Sequence, residues 1–179
     1  MNRRHFLGQS AAGVGLLAGF SGQARANLQK AEILVIGGGY GGATAAKYLR
    51  IFSNNTARVT LIEPNAAFLS CPLSNLVVGG SRTMADITSS YGSLSKRHGI
   101  TVIKDSVVSI DPDKKTAKLA SGKILPYDKA VVSPGISLIM SSIEGLAQAN
   151  KEGVTLQAWK AGPETVSYTH LTLPTIYSV

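Results

Sequence analysis

A chain of 179 residues, 44% hydrophobic and 16% charged, is long enough to bury a real core, and those fractions exclude a disordered polyelectrolyte or a coiled coil. The formal charge of +8 suggests nucleic acid, but Arg3, Arg4 and Arg25 sit in the first 26 residues, and beyond them 15 basic residues face 10 acidic ones, a net +5. Apart from Lys114-Lys115-Thr116-Ala117-Lys118 the basic residues are scattered and no aromatics interleave with that run, so a solvated surface is expected and nucleic acid is not expected as a partner.

Residues 1–26 read as an export leader. Asn2-Arg3-Arg4-His5-Phe6-Leu7-Gly8 precedes the apolar, small-residue stretch Ala11 to Phe20, and Ala24-Arg25-Ala26 forms an A-x-A cleavage site. The paired arginines followed by Phe6 and Leu7 resemble a twin-arginine leader, the type that exports folded proteins across the bacterial inner membrane. About ten apolar residues cannot cross a bilayer core that needs about twenty, so no membrane span is expected in the mature protein. It should begin near Asn27, in the periplasm.

The apolar run Ile33-Leu34-Val35-Ile36 predicts a buried strand, and Gly37-Gly38-Gly39-Tyr40-Gly41-Gly42 follows it directly. Gly37, Gly39 and Gly42 have the spacing G-x-G-x-x-G, which serves a tight strand-to-helix turn, close approach of backbone to a pyrophosphate, and close packing of helix on strand. A helix over roughly Gly41 to Phe52 would aim its N-terminal N–H groups and positive dipole end at bound phosphates. The second strand, Arg58-Val59-Thr60-Leu61-Ile62, ends on Glu63, 21 residues past Gly42, where an acceptor meets the ribose hydroxyls of an adenosine and would repel a 2′-phosphate. With 19 glycines in the chain the spacing alone is weak evidence. The full order of strand, turn, helix, strand and acid favours a dinucleotide over a plain glycine turn with a solvated Glu63.

An irregular loop is expected from Pro64 to Asn75, then short helices from Ser81 to His98, stopped by Gly99. Ile100 to Lys104 is β-rich. It is followed by Val107 to Ile110, the turn Asp111-Pro112-Asp113-Lys114, the strand Thr116 to Ala120 and the turn Ser121-Gly122-Lys123, read together as an antiparallel meander. The stretch Tyr127 to Ser133 predicts a buried strand ending in Pro134-Gly135. Ligands gather at strand carboxyl ends in α/β sheets, so Gly135 should lie beside the same cofactor as Gly37. From Val166 to Val179 the chain carries neither charge nor glycine and resembles a translated sequencing adapter, with Thr165 at the junction. The native protein is expected to continue differently after Glu164.

Taken together, the Gly37 to Gly42 fingerprint, Val59 to Pro64, Ser70-Cys71-Pro72-Leu73-Ser74-Asn75 with Gly79-Gly80, Tyr127 to Gly135, and Trp159-Lys160-Ala161-Gly162-Pro163 resemble the flavoprotein subunit of flavocytochrome c sulfide dehydrogenase. The resemblance implies FAD as cofactor, sulfide as substrate, a c-type cytochrome subunit as electron-accepting partner, and the periplasm as location. It places the pyrophosphate on Gly37, Gly39 and Gly42, the adenosine ribose on Glu63, the flavin ring on Cys71 and the flavin, from the opposite strand, on Gly135. The implied fold class is α/β, a Rossmann-like FAD-binding domain over 27–164 with a parallel sheet, a βαβ unit and an antiparallel meander, incomplete at its C-terminal side. The cysteine pair that would handle sulfide falls beyond Glu164, so the catalytic residues for sulfide are not visible and this portion alone is expected to be inactive. A quinone-linked relative, sulfide:quinone oxidoreductase or NADH dehydrogenase, is the rival within the enzyme class; a dinucleotide-binding module without turnover is the rival outside it.

Cys71 is the single cysteine of the chain. Its residue type permits a small core residue or half of a disulfide. By resemblance it matches the cysteine that forms a thioether to the flavin, chemistry open to a nucleophilic thiolate. Of the three histidines, His5 is in the leader and His170 in the charge-free tail, which leaves His98, excludes a histidine-rich metal site and argues against a Ser-His-Asp system. Asp111 and Asp113 sit in a turn, where aspartate bonds locally to backbone.

Overall fold

A computed structural model describes residues 30–157 together with Trp159, Thr165 and Ser167. The leader with its arginine pair, Lys160 to Pro163, and the tail except Thr165 and Ser167 lie outside the described residues. The described chain divides into two units, one of 30–65 with 92–134, the other of 66–91 with the residues from 135 onward.

In the first unit, β1 (Glu32–Ile36) runs into helix α1 (Tyr40–Phe52) and returns as β2 (Arg58–Ile62), completing the βαβ unit at the expected positions. β1 pairs in parallel with β2, Ile36 opposite Ile62. Four of the five β1 residues are buried, as a central parallel strand covered on both faces requires. Leu34, Ile36 and Ile62 face Ala117 and Leu119, with Ile103, Val107, Leu125, Tyr127 and Ala130 packed around them. By strand alternation Val35 turns the other way, toward α1, where Ala46 is fully buried and Gly42 stands over Val35.

Arg50, in the last turn of α1, fastens this layer. Its guanidinium donates to the carbonyls of His98 (2.6 Å), Asn55 (2.7 Å) and Ala57. It so ties the helix end to the turn before β2, where Asn54 and Asn55 both take left-handed backbone, and to α3 (Gly92–His98). Arg50→Met should therefore lower unfolding free energy by about 2–3 kcal/mol in a urea titration, because the aliphatic stem is kept while carbonyls lose a charged donor. Loss of less than about 0.5 kcal/mol would show the fastening to be idle.

β5 (Thr101–Ile103) pairs in parallel with β2, and β9 (Lys129–Val132) pairs in parallel with β1 on the other side, giving the order β5-β2-β1-β9. The meander therefore does not include 101–103; it consists of β6 (Val107–Asp111), β7 (Thr116–Leu119) and β8 (Ile124–Pro126), antiparallel, with a bulge between Val107 and Ser109. Asp111 Oδ1 accepts from the N–H groups of Asp113 (3.1 Å) and Lys114 (2.9 Å), the local role expected of a turn aspartate. The strand expected to be buried near Tyr127 to Ser133 is shorter and more open: Lys129 and Val132 are exposed, Ala130 and Val131 half-buried. It lies at the sheet margin, and among the described residues no strand covers its outer side.

The second unit corrects two expectations. Within the presumed loop after Pro64, β3 (Ala67–Leu69) forms a strand, and within the presumed helical stretch β4 (Thr88–Ser90) pairs with it antiparallel. Between them come a 3-10 turn at Cys71–Leu73, helix α2 (Ser74–Val78) and a second 3-10 turn at Ala85–Ile87. Thr88-Ser89-Ser90 has no apolar alternation, so its strand conformation is set by pairing with Ala67-Phe68-Leu69 rather than by local pattern. A 3-10 turn at Met140–Ser142 and helix α4 (Leu146–Lys151) follow Gly135.

Candidate functional site

Four strand ends of the first unit meet at the loop between β1 and α1. Gly37 N–H donates to the Ile62 carbonyl (2.9 Å), Ser133 N–H to the Ile36 carbonyl (2.8 Å) and Glu63 N–H to the Ile103 carbonyl (3.0 Å), so β1, β2, β5 and β9 end in register around it. Here α1 carries the chain from β1 toward β2 while β9 flanks β1 on the opposite side, the point of an open α/β sheet where a crevice forms.

The glycines of the loop have different reasons to be glycine. Gly37 takes φ +95°, and a Cβ there would stand 2.0 Å from the Ser133 carbonyl oxygen. A Cβ on Gly42 would stand 1.8 Å from the Gly37 carbonyl oxygen, and one on Gly41 2.8 Å from Ser133 Oγ. Packing of the protein against itself accounts for these. Gly39 differs: its φ of −67° suits any residue, and a Cβ there would meet nothing within 4 Å. The fold leaves this position clear without needing it clear, which fits a backbone approached by something other than the protein.

Gly39 is also the residue before α1, whose ladder opens with Ala43 N–H donating to the Gly39 carbonyl at 2.9 Å. The N–H groups of Gly41 and Gly42 precede that bond in the first turn, at the positive end of a helix of 13 residues without an acidic residue in its first turn. Glu63 is 8% exposed, and its Oε2 accepts from Gly38 N–H at 2.7 Å. The structure thus brings Gly37, Gly39, Gly42 and Glu63 together. A helix N-terminus and a carboxylate at neighbouring strand ends fit the diphosphate and ribose of an adenine dinucleotide.

Two neighbours were missed in the sequence. Ser133 is the residue that touches Gly37 and Gly41, although the Ser-Pro-Gly turn pointed to Gly135. Asn65 donates to Glu63 Oε1 through its backbone N–H (2.9 Å) and its Nδ2 (2.7 Å). An asparagine just past a strand-terminal acid was the available signal. The other two expected site residues, Cys71 and Gly135, belong to the second unit. Cys71 is half-buried at the start of its 3-10 turn, with Pro72 next and its carbonyl accepting from Ser74 Oγ at 2.7 Å. Gly135 takes φ +78° with open space at its Cβ position.

Two carboxyl groups are held below the ordinary aspartate range: Asp86 by the backbone N–H and hydroxyl of Thr83, and Asp105 chiefly by Ser121, with the Ser106 N–H adding to it. Both are exposed turn acceptors, which suits local structure rather than proton transfer. Among the described residues no cluster of histidine, cysteine and acidic side chains could hold a metal ion, and no helix is long and apolar enough to cross a membrane.

The family model described as pyridine nucleotide-disulphide oxidoreductase matches residues 31–161. The mitochondrial sulfide:quinone oxidoreductase of Dictyostelium discoideum is 32% identical over 125 residues, 69% of this chain and 27% of that protein. The flavoprotein chain of sulfide dehydrogenase (flavocytochrome c) from Chlorobaculum thiosulfatiphilum is 53% identical over 46 residues, 26% of this chain and 94% of that sequence. The crystal structure of sulfide:quinone oxidoreductase from Aquifex aeolicus superposes with a TM-score of 0.65 at 27% identity, over 78% of this chain and 30% of that one. The chain spans about a quarter of the length of the sulfide:quinone relatives it matches. A βαβ unit with a glycine turn and a strand-terminal carboxylate, and a family match covering most of the chain, lead to one statement: it belongs to the pyridine nucleotide-disulphide oxidoreductases, a family of FAD-dependent oxidoreductases.

Proposed function

We propose that this chain is the FAD-holding portion of a periplasmic sulfide dehydrogenase that passes electrons from sulfide to a c-type cytochrome subunit. The observation that carries the cofactor assignment is the clear position at Gly39 beside the anchored carboxylate of Glu63. Gly37, Gly39 and Gly42 would receive the pyrophosphate, Glu63 the adenosine ribose, and Gly135 a side of the flavin. When bound, FAD would supply the redox chemistry, taking an electron pair and releasing electrons singly. The protein's own part is to hold and orient it. Sulfide as substrate is supported by the names of the relatives, and the periplasm by the leader at Arg3-Arg4.

The electron acceptor has two readings. The 46-residue match at 53% identity favours a cytochrome, whereas the longer matches and the superposed structure favour a quinone. The whole native enzyme, purified with FAD and given sulfide, should reduce a c-type cytochrome and leave decylubiquinone oxidised. Quinone reduction alone would replace the first reading with the second; tight FAD binding without reduction of either would leave a nucleotide-binding module.

Cys71 is the proposed point of covalent attachment, on a turn stiffened by Pro72. Yellow colour should then stay with the polypeptide in acid or guanidinium, and Cys71→Ser should release it completely on denaturation. Colour that separates from the unsubstituted protein rejects the attachment.

A further inference from the structure

The carboxylate of Glu63 is held by an unequal set of donors. Oε1 accepts twice from one residue, Asn65, by its backbone N–H at 2.9 Å and its Nδ2 at 2.7 Å. Oε2 accepts once, from Gly38 N–H at 2.7 Å. An ionised carboxylate offers about four lone-pair positions, so with Oε1 filled the remaining acceptor capacity lies on Oε2, the oxygen next to the glycine loop. Asn65 itself is exposed, three residues beyond the strand, while Glu63 is buried. Its side chain therefore contributes an orientation rather than packing.

We propose that Asn65 is a positioning residue for nucleotide recognition: its amide fixes the plane of the Glu63 carboxylate so that Oε2 presents its open lone pair to a ribose hydroxyl. The inference rests on the dinucleotide reading of the crevice. Without Nδ2, two backbone donors remain, and the terminal torsion of a glutamate is broad enough to let the carboxylate rotate between them. A rotating acceptor loses ordering entropy on each binding event, and the loss falls only on ligands that carry the hydroxyl.

The test is a cycle of protein and ligand deletions. ADP and 2′,3′-dideoxy-ADP are titrated calorimetrically into the parent protein, Asn65→Ala and Asn65→Asp. Asn65→Ala should weaken ADP by up to about tenfold, the cost of ordering one freed side chain on binding, and the dideoxy ligand less than about twofold. Asn65→Asp, which removes the donor and sets a second carboxylate against Glu63, should weaken ADP at least as much. Equal losses for the two ligands, or none for either, overturn the positioning role. Failure is separable from failure of the underlying reading: if the parent protein binds neither ligand, or binds both equally, Glu63 is no ribose acceptor and both fall.

Discussion

Gly39→Ala should weaken FAD binding about a hundredfold while lowering the melting temperature by no more than about 4 °C. A methyl group at Gly39 meets no protein atom within 4 Å, and φ −67° suits alanine. The expected penalty in the protein alone is that of a poorer residue ahead of α1, about 1 kcal/mol, partly offset by a less flexible unfolded chain. Binding is different, because the methyl group would stand where the diphosphate must approach the backbone. Gly42→Ala provides the contrast. Its methyl would sit 1.8 Å from the Gly37 carbonyl oxygen, a backbone atom that cannot swing aside, so the expected loss is roughly 3 kcal/mol or more in chemical denaturation. FAD fluorescence quenching and melting curves on the two variants separate the effects. A Gly39→Ala protein that quenches FAD as the parent does would remove the phosphate site.

Glu63→Ala is expected to harm both stability and binding. It takes the acceptor from Gly38 N–H in a buried setting and from both donors of Asn65, which should lower unfolding free energy by roughly 2–3 kcal/mol. FAD affinity should fall by about a hundredfold or more, since the ribose loses its acceptor and the glycine loop its tether. Glu63→Gln, retaining one carbonyl oxygen, should be intermediate in both measurements. Undiminished FAD affinity in Glu63→Ala would count decisively against the assigned role.

The first half of the site was legible because its signals are local. Ile33 to Ile36, the glycine spacing and Arg58 to Glu63 lie within one continuous stretch, and observed β1, α1 and β2 follow the expected boundaries closely. What escaped depends on partners distant in sequence. Ser133 meets Gly37 across 96 residues, and nothing in Val131-Val132-Ser133 announces that its carbonyl will close against a glycine. The strand at Thr88 to Ser90 exists through its pairing with Ala67 to Leu69, while its own polar sequence suggested otherwise. The hydrophobicity of Ala130-Val131-Val132 suggested a buried strand, but sheet order placed it at the margin. The sequence shows that a residue wants burial; only the assembled sheet shows whether neighbours supply it.

The bond from Gly38 to Glu63 is made wholly by the protein's own groups. The β1-to-α1 turn is thereby moored to the neighbouring strand in advance, and ligand entry need not first freeze a wandering loop. A turn tied down in this way should take up its ligand in a single kinetic phase set by encounter rather than by rearrangement.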